Sequence, residues 1–472
     1  MKSIQTLTLA LSTAVLAACS LAPDYQQPEL TVLTQPSEAA PSVPLNWQSF
    51  YQDEQLKQLI ALALKNNKSL SINDLQLKQL QANYQIEASQ QWPDVNLSAS
   101  GQRQLNSQSS STAQFMPKYS GSYSVGVGFT AYELDFFDRI GNLKQNALAQ
   151  FKAGQFAQQT LEQSLASQVA NLYFEYQAGL YKADLQAKVV ASAKQKFVIA
   201  QKQFEQGIID NVDYRQAQSN QQLSAIVLSQ LKQTNETNLN ELKQLVGYKA
   251  AQNISQLAPS FSITQLDNLP ADLPASILLA RPDIAEAEQK IKAANANLGV
   301  ARAAFFPSIS LTSNVGFASQ DLSDLFKSDS KTWSFAPQLN LPLFNKGRLD
   351  AQETIAELQQ QAEITQYQDR VETAFTELNN RLITQKALNE QVKLQQQVVA
   401  NYQEQVQLSE LRLQQGLEDP ANYEQFRQSL FTQQQNLAEL ELAYLKNQIS
   451  LFKTLGGQYN QVEHQLAFAF ND

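Results

Sequence analysis

Thiols and imidazoles are nearly missing from this chain. Of its 472 residues one is a cysteine, Cys19, and one is a histidine, His464. A single thiol excludes an internal disulfide and any site built from several thiolates. A lone histidine eight residues from the end reads as an exposed polar residue, not a ligand. Positive charge is also short: 35 Lys and Arg stand against 44 Asp and Glu, for a net charge of −9, with no basic cluster. That argues against nucleic acid as a partner. The apolar stretch at residues 7–18 falls well short of the roughly 20 residues that a spanning helix needs. No phosphate loop, metal-ligand spacing or nucleophile–base constellation is present, so no enzyme, no cofactor and no metal site is expected.

What is present begins at the N-terminus, "MKSIQTLTLALSTAVLAAC". Lys2 precedes an apolar stretch that ends in the small residues Ala17 and Ala18, the pattern of an export signal. The ending "LAAC" resembles the lipobox of bacterial lipoprotein precursors. That resemblance implies cleavage before Cys19, which then carries an S-diacylglycerol group and an N-acyl chain. Ser20 in place of Asp after it implies sorting to the outer membrane. Each buried methylene contributes about 0.8 kcal/mol, so several acyl chains anchor firmly. The alternative is an export signal with a chance cysteine at its end. Residues 1–18 are thus expected to be a signal peptide and 19–50 an acylated segment leading into a collar. Removing 1–18 deletes Lys2 and no acid, leaving the mature chain more acidic still.

The chain also repeats itself. "FEQGIIDNVDYRQAQSNQQ" from Phe204 parallels "LQQGLEDPANYEQFRQSLF" from Leu413, so that Gly207 matches Gly416, Asp210 matches Asp419 and Tyr214 matches Tyr423. Farther on, Gly247 matches Gly456. Upstream, Pro93 matches Pro307, and "DFFDRIGN" at 135–142 parallels "PLFNKGR" at 342–348. The order of landmarks is kept, which predicts two repeats of one architecture, 51–250 and 282–456. The proline-bearing stretch 251–281 is the connector and 457–472 a C-terminal tail.

Each repeat predicts a helical segment (52–91 and 282–304), two alternating segments, a very long helix (142–205 and 348–414), a glycine turn and a shorter helix (211–246 and 421–455). In the long segments Leu161, Leu165, Val169, Leu172 and Tyr176 recur at helical spacing, as do Val371, Phe375, Leu378 and Leu382. At roughly 1.5 Å per residue the first would run about 95 Å, which no compact domain holds. The remaining faces are rich in Gln, Asn and Ala. They read either as a solvated coiled coil or as a helical wall with one polar side toward a water-filled passage.

The alternating segments predict strands at about 94–104, 119–136, 307–318 and 331–344. In the second, Tyr123, Val125, Val127, Phe129 and Ala131 share one face, and Ser122, Ser124, Gly126, Gly128 and Thr130 the other. In the third, Ile309, Leu311, Val315 and Phe317 oppose Ser308, Ser310, Thr312, Asn314 and Gly316; in the fourth, Trp333, Phe335, Leu339 and Leu341 line up. Segments of about ten residues suit a membrane-spanning strand as well as a half-buried soluble sheet. With no helix carrying a wide apolar face to cover them, the membrane reading is favoured. The polar loops 103–118 and 318–331 would then be external. Lipid demands a closed sheet and four strands cannot close one. Two protomers would give eight strands and three twelve; the wider passage favours three.

At "LARPDIAEAEQKIKAANANLGVARAAFFPSISL", residues 279–311, the chain resembles outer-membrane efflux lipoproteins of the TolC/OprM/NodT family, and the resemblance covers essentially all of the mature chain. It implies an α+β membrane protein. In a homotrimer, four strands per protomer share a 12-strand β-barrel, continued by a 12-helix periplasmic α-barrel with a mixed equatorial collar. It implies a passive exit duct, working with a periplasmic adaptor (membrane fusion) protein and an inner-membrane RND-type transporter, in contact with outer-membrane lipid. The turns at Gly207 and Gly416 would form the periplasmic tip. Around them Asp210, Asp213, Glu418 and Asp419 would either make rings of negative charge in three copies or simply cap the next helix. Related channels often carry an acid on the pore face one to two turns after the second glycine; here Ala421, Asn422 and Gln425 stand there, which favours a looser polar constriction. Arg215 and Arg427 are candidate ties between neighbouring helices. Competing functions are a duct for type I protein secretion and a lipid-anchored coiled-coil scaffold without a pore.

Overall fold

A computed structural model describes residues 20–28, 47–107, 109, 117–248 and 275–457. Cys19, the signal peptide, His464, most of the 251–281 connector and the tail beyond 457 lie outside these residues. The described elements are helices α1 (Trp47–Phe50), α2 (Glu54–Asn66) and α3 (Lys68–Ser89); strands β1 (Val95–Leu105) and β2 (Tyr119–Leu134); helices α4 (Arg139–Glu205), α5 (Asn211–Val246) and α6 (Pro282–Ala303); strands β3 (Ser308–Ser319) and β4 (Lys331–Asn340); and helices α7 (Arg348–Gln414) and α8 (Pro420–Thr454). The order strand, strand, long helix, shorter helix occurs twice. Both long helices have 67 residues, about 100 Å at roughly 1.5 Å per residue.

The described residues fall into two compact units. One comprises 20–28, 76–107, 109, 117–155 and 286–368, the other 47–75, 156–248, 275–285 and 369–457. The first holds the sheet, antiparallel throughout in the order β1-β2-β3-β4. Nearby helices are fitted closely. Gly154 of α4 leaves room for Leu77 and Leu80 of α3, and Arg302 of α6 binds Glu353 at 2.9 Å and Glu357 at 3.1 Å on α7.

In the second unit Trp47, Phe50, Tyr51, Leu56, Ile60, Val169, Tyr173, Phe174, Leu242, Ile449 and Phe452 form one buried cluster. Phe50 stacks on Phe452 with ring centroids 4.2 Å apart. Burying each aromatic of this kind contributes roughly 1.5–3 kcal/mol. Asp53 joins this core to a helix start. One carboxylate oxygen accepts from the N–H groups of Gln55 and Leu56 and the other from the Tyr173 hydroxyl, whose own oxygen accepts from Gln177 at 2.8 Å. Burial first, and then the Asp53 hydrogen bond and charge, hold the Tyr173 phenol well above its usual range.

Two sequence expectations are corrected here. The segment 52–91 is not one helix but two, parted at Asn67. Asn67 has extended backbone; its Oδ1 accepts from Ser69 N at 2.9 Å and Leu70 N at 3.4 Å, and its Nδ2 donates to the Leu245 carbonyl at 3.2 Å. Its side chain thus caps α3 while holding the end of α5. The second correction concerns Ala131, which does not continue the apolar alternation of β2. The pairing shifts between Phe129 and Tyr132, Ala131 sits at φ 56°, and its N–H donates to Thr312 Oγ1 at 3.0 Å. Thr130 and Ala131 together oppose Thr312, a bulge that moves Tyr132 and Leu134 onto the face of Phe129.

Candidate functional site

The register sorts the sheet's side chains into two sets. Leu97, Val127, Val315 and Trp333 form a continuous row across all four strands, and Val95, Phe129, Ser313 and Phe335 another. Beyond the bulge follow Tyr132–Leu311–Pro337 and Leu134–Ile309–Leu339. The opposite face presents Ser98–Gly126–Gly316–Thr332 and Asn96–Gly128–Asn314–Ser334. A Cβ on Gly126 would collide with Asn314, and one on Gly316 with the backbone of β2, so glycine is needed where this polar face closes on itself.

The apolar rows lie open in the single chain: Leu97 is 74% exposed, Val127 49%, Val315 63% and Trp333 76%. A patch this wide needs an apolar environment. Charge respects the same plan. In the four strands the ionisable acids and bases are Arg103, Glu133 and Lys331. Arg103 and Lys331 sit toward the loop end, opposite Gly121 and Phe317. Glu133 lies at the helix end in a two-point contact with Arg139, at 2.8 and 2.6 Å. That hydrogen bond, opposed by burial, keeps the Arg139 guanidinium firmly charged. Aromatic residues mark both ends of the β2 face: Tyr119 toward the loops, and Tyr132, near Trp92, toward the helices, with the Tyr132 hydroxyl on the Gln91 carbonyl at 3.0 Å. An apolar band between aromatic ends is the layout of a lipid-facing strand set. Strands β1 and β4 each have one neighbour, so both edges are open. No described helix is long and apolar enough to cross a membrane.

The two turns in the other unit share one geometry. Gly207 and Gly416 both lie at φ 74°, in the left-handed region that favours glycine. Gly207 N donates to the Phe204 carbonyl and Ile208 N to that of Gln203; Gly416 N donates to Leu413 and Leu417 N to Arg412, a Schellman closure in each case. Three residues on, Asp210 Oδ1 accepts from Val212 N at 2.9 Å and Asp213 N at 3.0 Å, and Asp419 Oδ1 from Ala421 N at 2.7 Å. Both acids therefore cap the next helix. Asp213 sits exposed in the first turn of α5. Glu418 reaches back to Arg412 at 3.6 Å and accepts from Asn422 at 3.4 Å.

Arg215 donates to Gln218 at 3.0 Å and lies over the Tyr214 ring; Arg427 pairs with Glu424 at 2.9 Å and lies over Tyr423. Within the chain each arginine is engaged along its own helix. A tie from α8 to α4 runs instead through Gln425, whose Oε1 accepts from Lys196 Nζ at 2.6 Å. Burial lowers the Lys196 pKa, against the raising charge of Glu424. Glu424 is buried and, three residues before Arg427, was legible as a pair; nothing local in the sequence marks Lys196. Among the described residues no group of three His, Cys, Asp or Glu could hold a metal.

Comparison with known proteins agrees with this layout. The family described as outer membrane efflux protein matches residues 59–248 and 273–457. The chain is 34% identical over 462 residues to the probable efflux pump outer membrane protein TtgC of Pseudomonas putida, covering 96% of this chain and 95% of that one. It is 35% identical over 460 residues to the cation efflux system protein CusC of Escherichia coli, with 94% and 97% covered. The solved Campylobacter jejuni CmeC outer membrane channel superposes with a TM-score of 0.84 at 27% identity, covering 94% of this chain and 96% of that one. With an open-edged sheet, two glycine turns of one geometry and matches over both halves, the chain belongs to the outer membrane efflux protein family.

Proposed function

We propose that three copies of the chain join their sheets edge to edge into a twelve-stranded β-barrel in the outer membrane. Their helices α4, α5, α7 and α8 supply a twelve-helix periplasmic barrel with a mixed collar. The whole is a passive exit duct for drugs or other small toxic compounds. The observation that carries this reading is the sheet: an uncovered apolar face, a hydroxyl- and amide-rich face whose one charge, Glu133 at the helix end, is paired to Arg139, and two open edges. Outward, the first face meets lipid; inward, the second lines water. The twice-repeated element order supports an internal duplication, in which the repeats 51–250 and 282–456 contribute equal shares of both barrels.

The duct acts on nothing and selects little, so its cargo is what a periplasmic adaptor and an inner-membrane RND-type transporter deliver. The relatives' names span an efflux pump and a cation efflux system, in keeping with selection upstream. Cys19 supplies the acyl anchor. At the tip, Asp210 and Asp419 spend Oδ1 on capping and stay exposed, so capping and a ring of charge in three copies are compatible. Purified protein in planar bilayers should conduct ions, and a deletion strain should become drug-sensitive. Intact oligomers that never conduct at any voltage would overturn the duct.

A further inference from the structure

Residues 20–28 form neither helix nor strand, yet they are held at four points along α6, in reverse order. Ser20 Oγ accepts from Asn142 Nδ2 of α4 at 3.4 Å. Ala22 rests on Gly299: a Cβ there would lie 2.8 Å from the Ala22 Cβ and 2.8 Å from Asn142. The Pro23 carbonyl accepts from Asn295 Nδ2 at 2.7 Å, and Asn295, itself buried, is oriented by Gln360 Nε2 at 2.7 Å. The Tyr25 hydroxyl donates to Glu288 at 3.2 Å, with Lys292 over its ring at 4.8 Å. Gln27 then donates to the Tyr367 hydroxyl of α7 at 3.3 Å. Residues 299, 295, 292 and 288 fall on one face of α6, since each step is three or four residues. The missing side chain at 299 and the buried amide at 295 make this a built seat.

We propose that residues 20–28 are a fastening strap that clips α4, α6 and α7 together.

The test uses chymotrypsin on the purified full-length protein. Cleavage after Tyr25, half-buried in the seat, releases the segment that bears Cys19. Gly299→Leu fills the seat with a residue that favours helix more than glycine does, so α6 should persist while the strap leaves. Cleavage after Tyr25 should be about tenfold faster than in the parent, the change expected when one or two hydrogen bonds of docking are lost. Trypsin sites at Lys290 and Arg302 should stay protected. If they open, Asn295→Ala, which removes one strap contact and leaves Gly299 alone, decides in its place. Equal cleavage rates in parent and variants overturn the strap.

Discussion

Arginine placed on either side of one strand pair tests the sheet directly. Val127 lies mid-strand in β2, between Leu97 and Val315 on the apolar face. Ser98, one residue along from Leu97, pairs with Gly126 on the other face. In lipid, Val127→Arg costs about 2–4 kcal/mol near the bilayer midplane, and the three copies of the proposed trimer raise that to roughly 6–12 kcal/mol. Ser98→Arg puts the same charge into water, with a cost near zero, and adds three positive charges to the passage. Outer-membrane recovery of folded, heat-resistant oligomer should fall steeply for Val127→Arg and stay near the parent for Ser98→Arg. Ser98→Arg should instead shift ion selectivity in bilayers toward anions. A Val127→Arg protein that inserts as well as Ser98→Arg would refute the assignment of the two faces.

Gly207→Ala and Gly416→Ala should destabilise their turns equally, by roughly 1–2 kcal/mol each, because both glycines sit at φ 74° with no atoms within 4 Å of the added methyl. Amide exchange at the ends of α4 and α7 should quicken to match, and unequal effects would break the equivalence of the two turns. Asp419→Ala should remove about 1 kcal/mol of capping and speed exchange at the Ala421 N–H. Arg281 is the third case: it forks onto Asp283 at 2.8 Å, reaches Glu377 at 3.1 Å and donates to the Thr454 carbonyl at 3.4 Å. With side chains 11% and 16% exposed, the Arg281–Asp283 arm carries most of the energy, and Arg281→Met should lose about 2–3 kcal/mol in urea unfolding. Burial raises the Asp283 pKa, but hydrogen bonds and charge from Arg281, with the charge of Arg370, hold it below the ordinary 3.8. The stabilisation is therefore complete above that pH and fades as pH falls through the lowered value, so parent and Arg281→Met should converge in acid. A gap that persists undiminished in acid would show that the pair is not its source.

Helix content was legible wherever a local rule decides it. The α7 limits at Arg348 and Gln414 follow from glycines on either side, Gly347 at φ 79° and Gly416 at φ 74°. The start of α4 was not, because it depends on a side chain six residues away: Asp135 accepts from Gly141 N at 2.7 Å, and the helix begins at Arg139 rather than 142. Asn67 broke the expected 52–91 helix for a similar reason, since its amide is drawn to Leu245, 178 positions downstream. The two faces of the strands could be read from period-two alternation, but not the bulge at Ala131, which is set by Thr312 on the neighbouring strand. At the two glycine turns the caps follow from Gly-x-x-Asp spacing. Lys196 escaped notice because its partner Gln425 is 229 positions away. Rules of local geometry reach as far as a helix end; pairings across long separations need the fold.

The strand count bears on assembly through the unpaired edges. Strand β1 has 11 residues and β4 has 10, and roughly half of the N–H and C=O groups of each point away from their one neighbour. In hydrocarbon each such orphan costs several kcal/mol, so an edge left open in lipid costs tens of kcal/mol. The apolar face cannot offset that, and a single sheet stays out of the membrane. Closure supplies the missing partners, and an even number of strands decides how. Directions alternate from β1 to β4, so β4 of one copy runs antiparallel to β1 of the next. The pairing pattern then continues across the seam without a parallel step. In the proposed trimer the ends of β1 and β3 and the starts of β2 and β4 share one rim, and the opposite strand ends share the other. In that proposal both the oligomerisation and the passage follow from the edges of a four-stranded sheet.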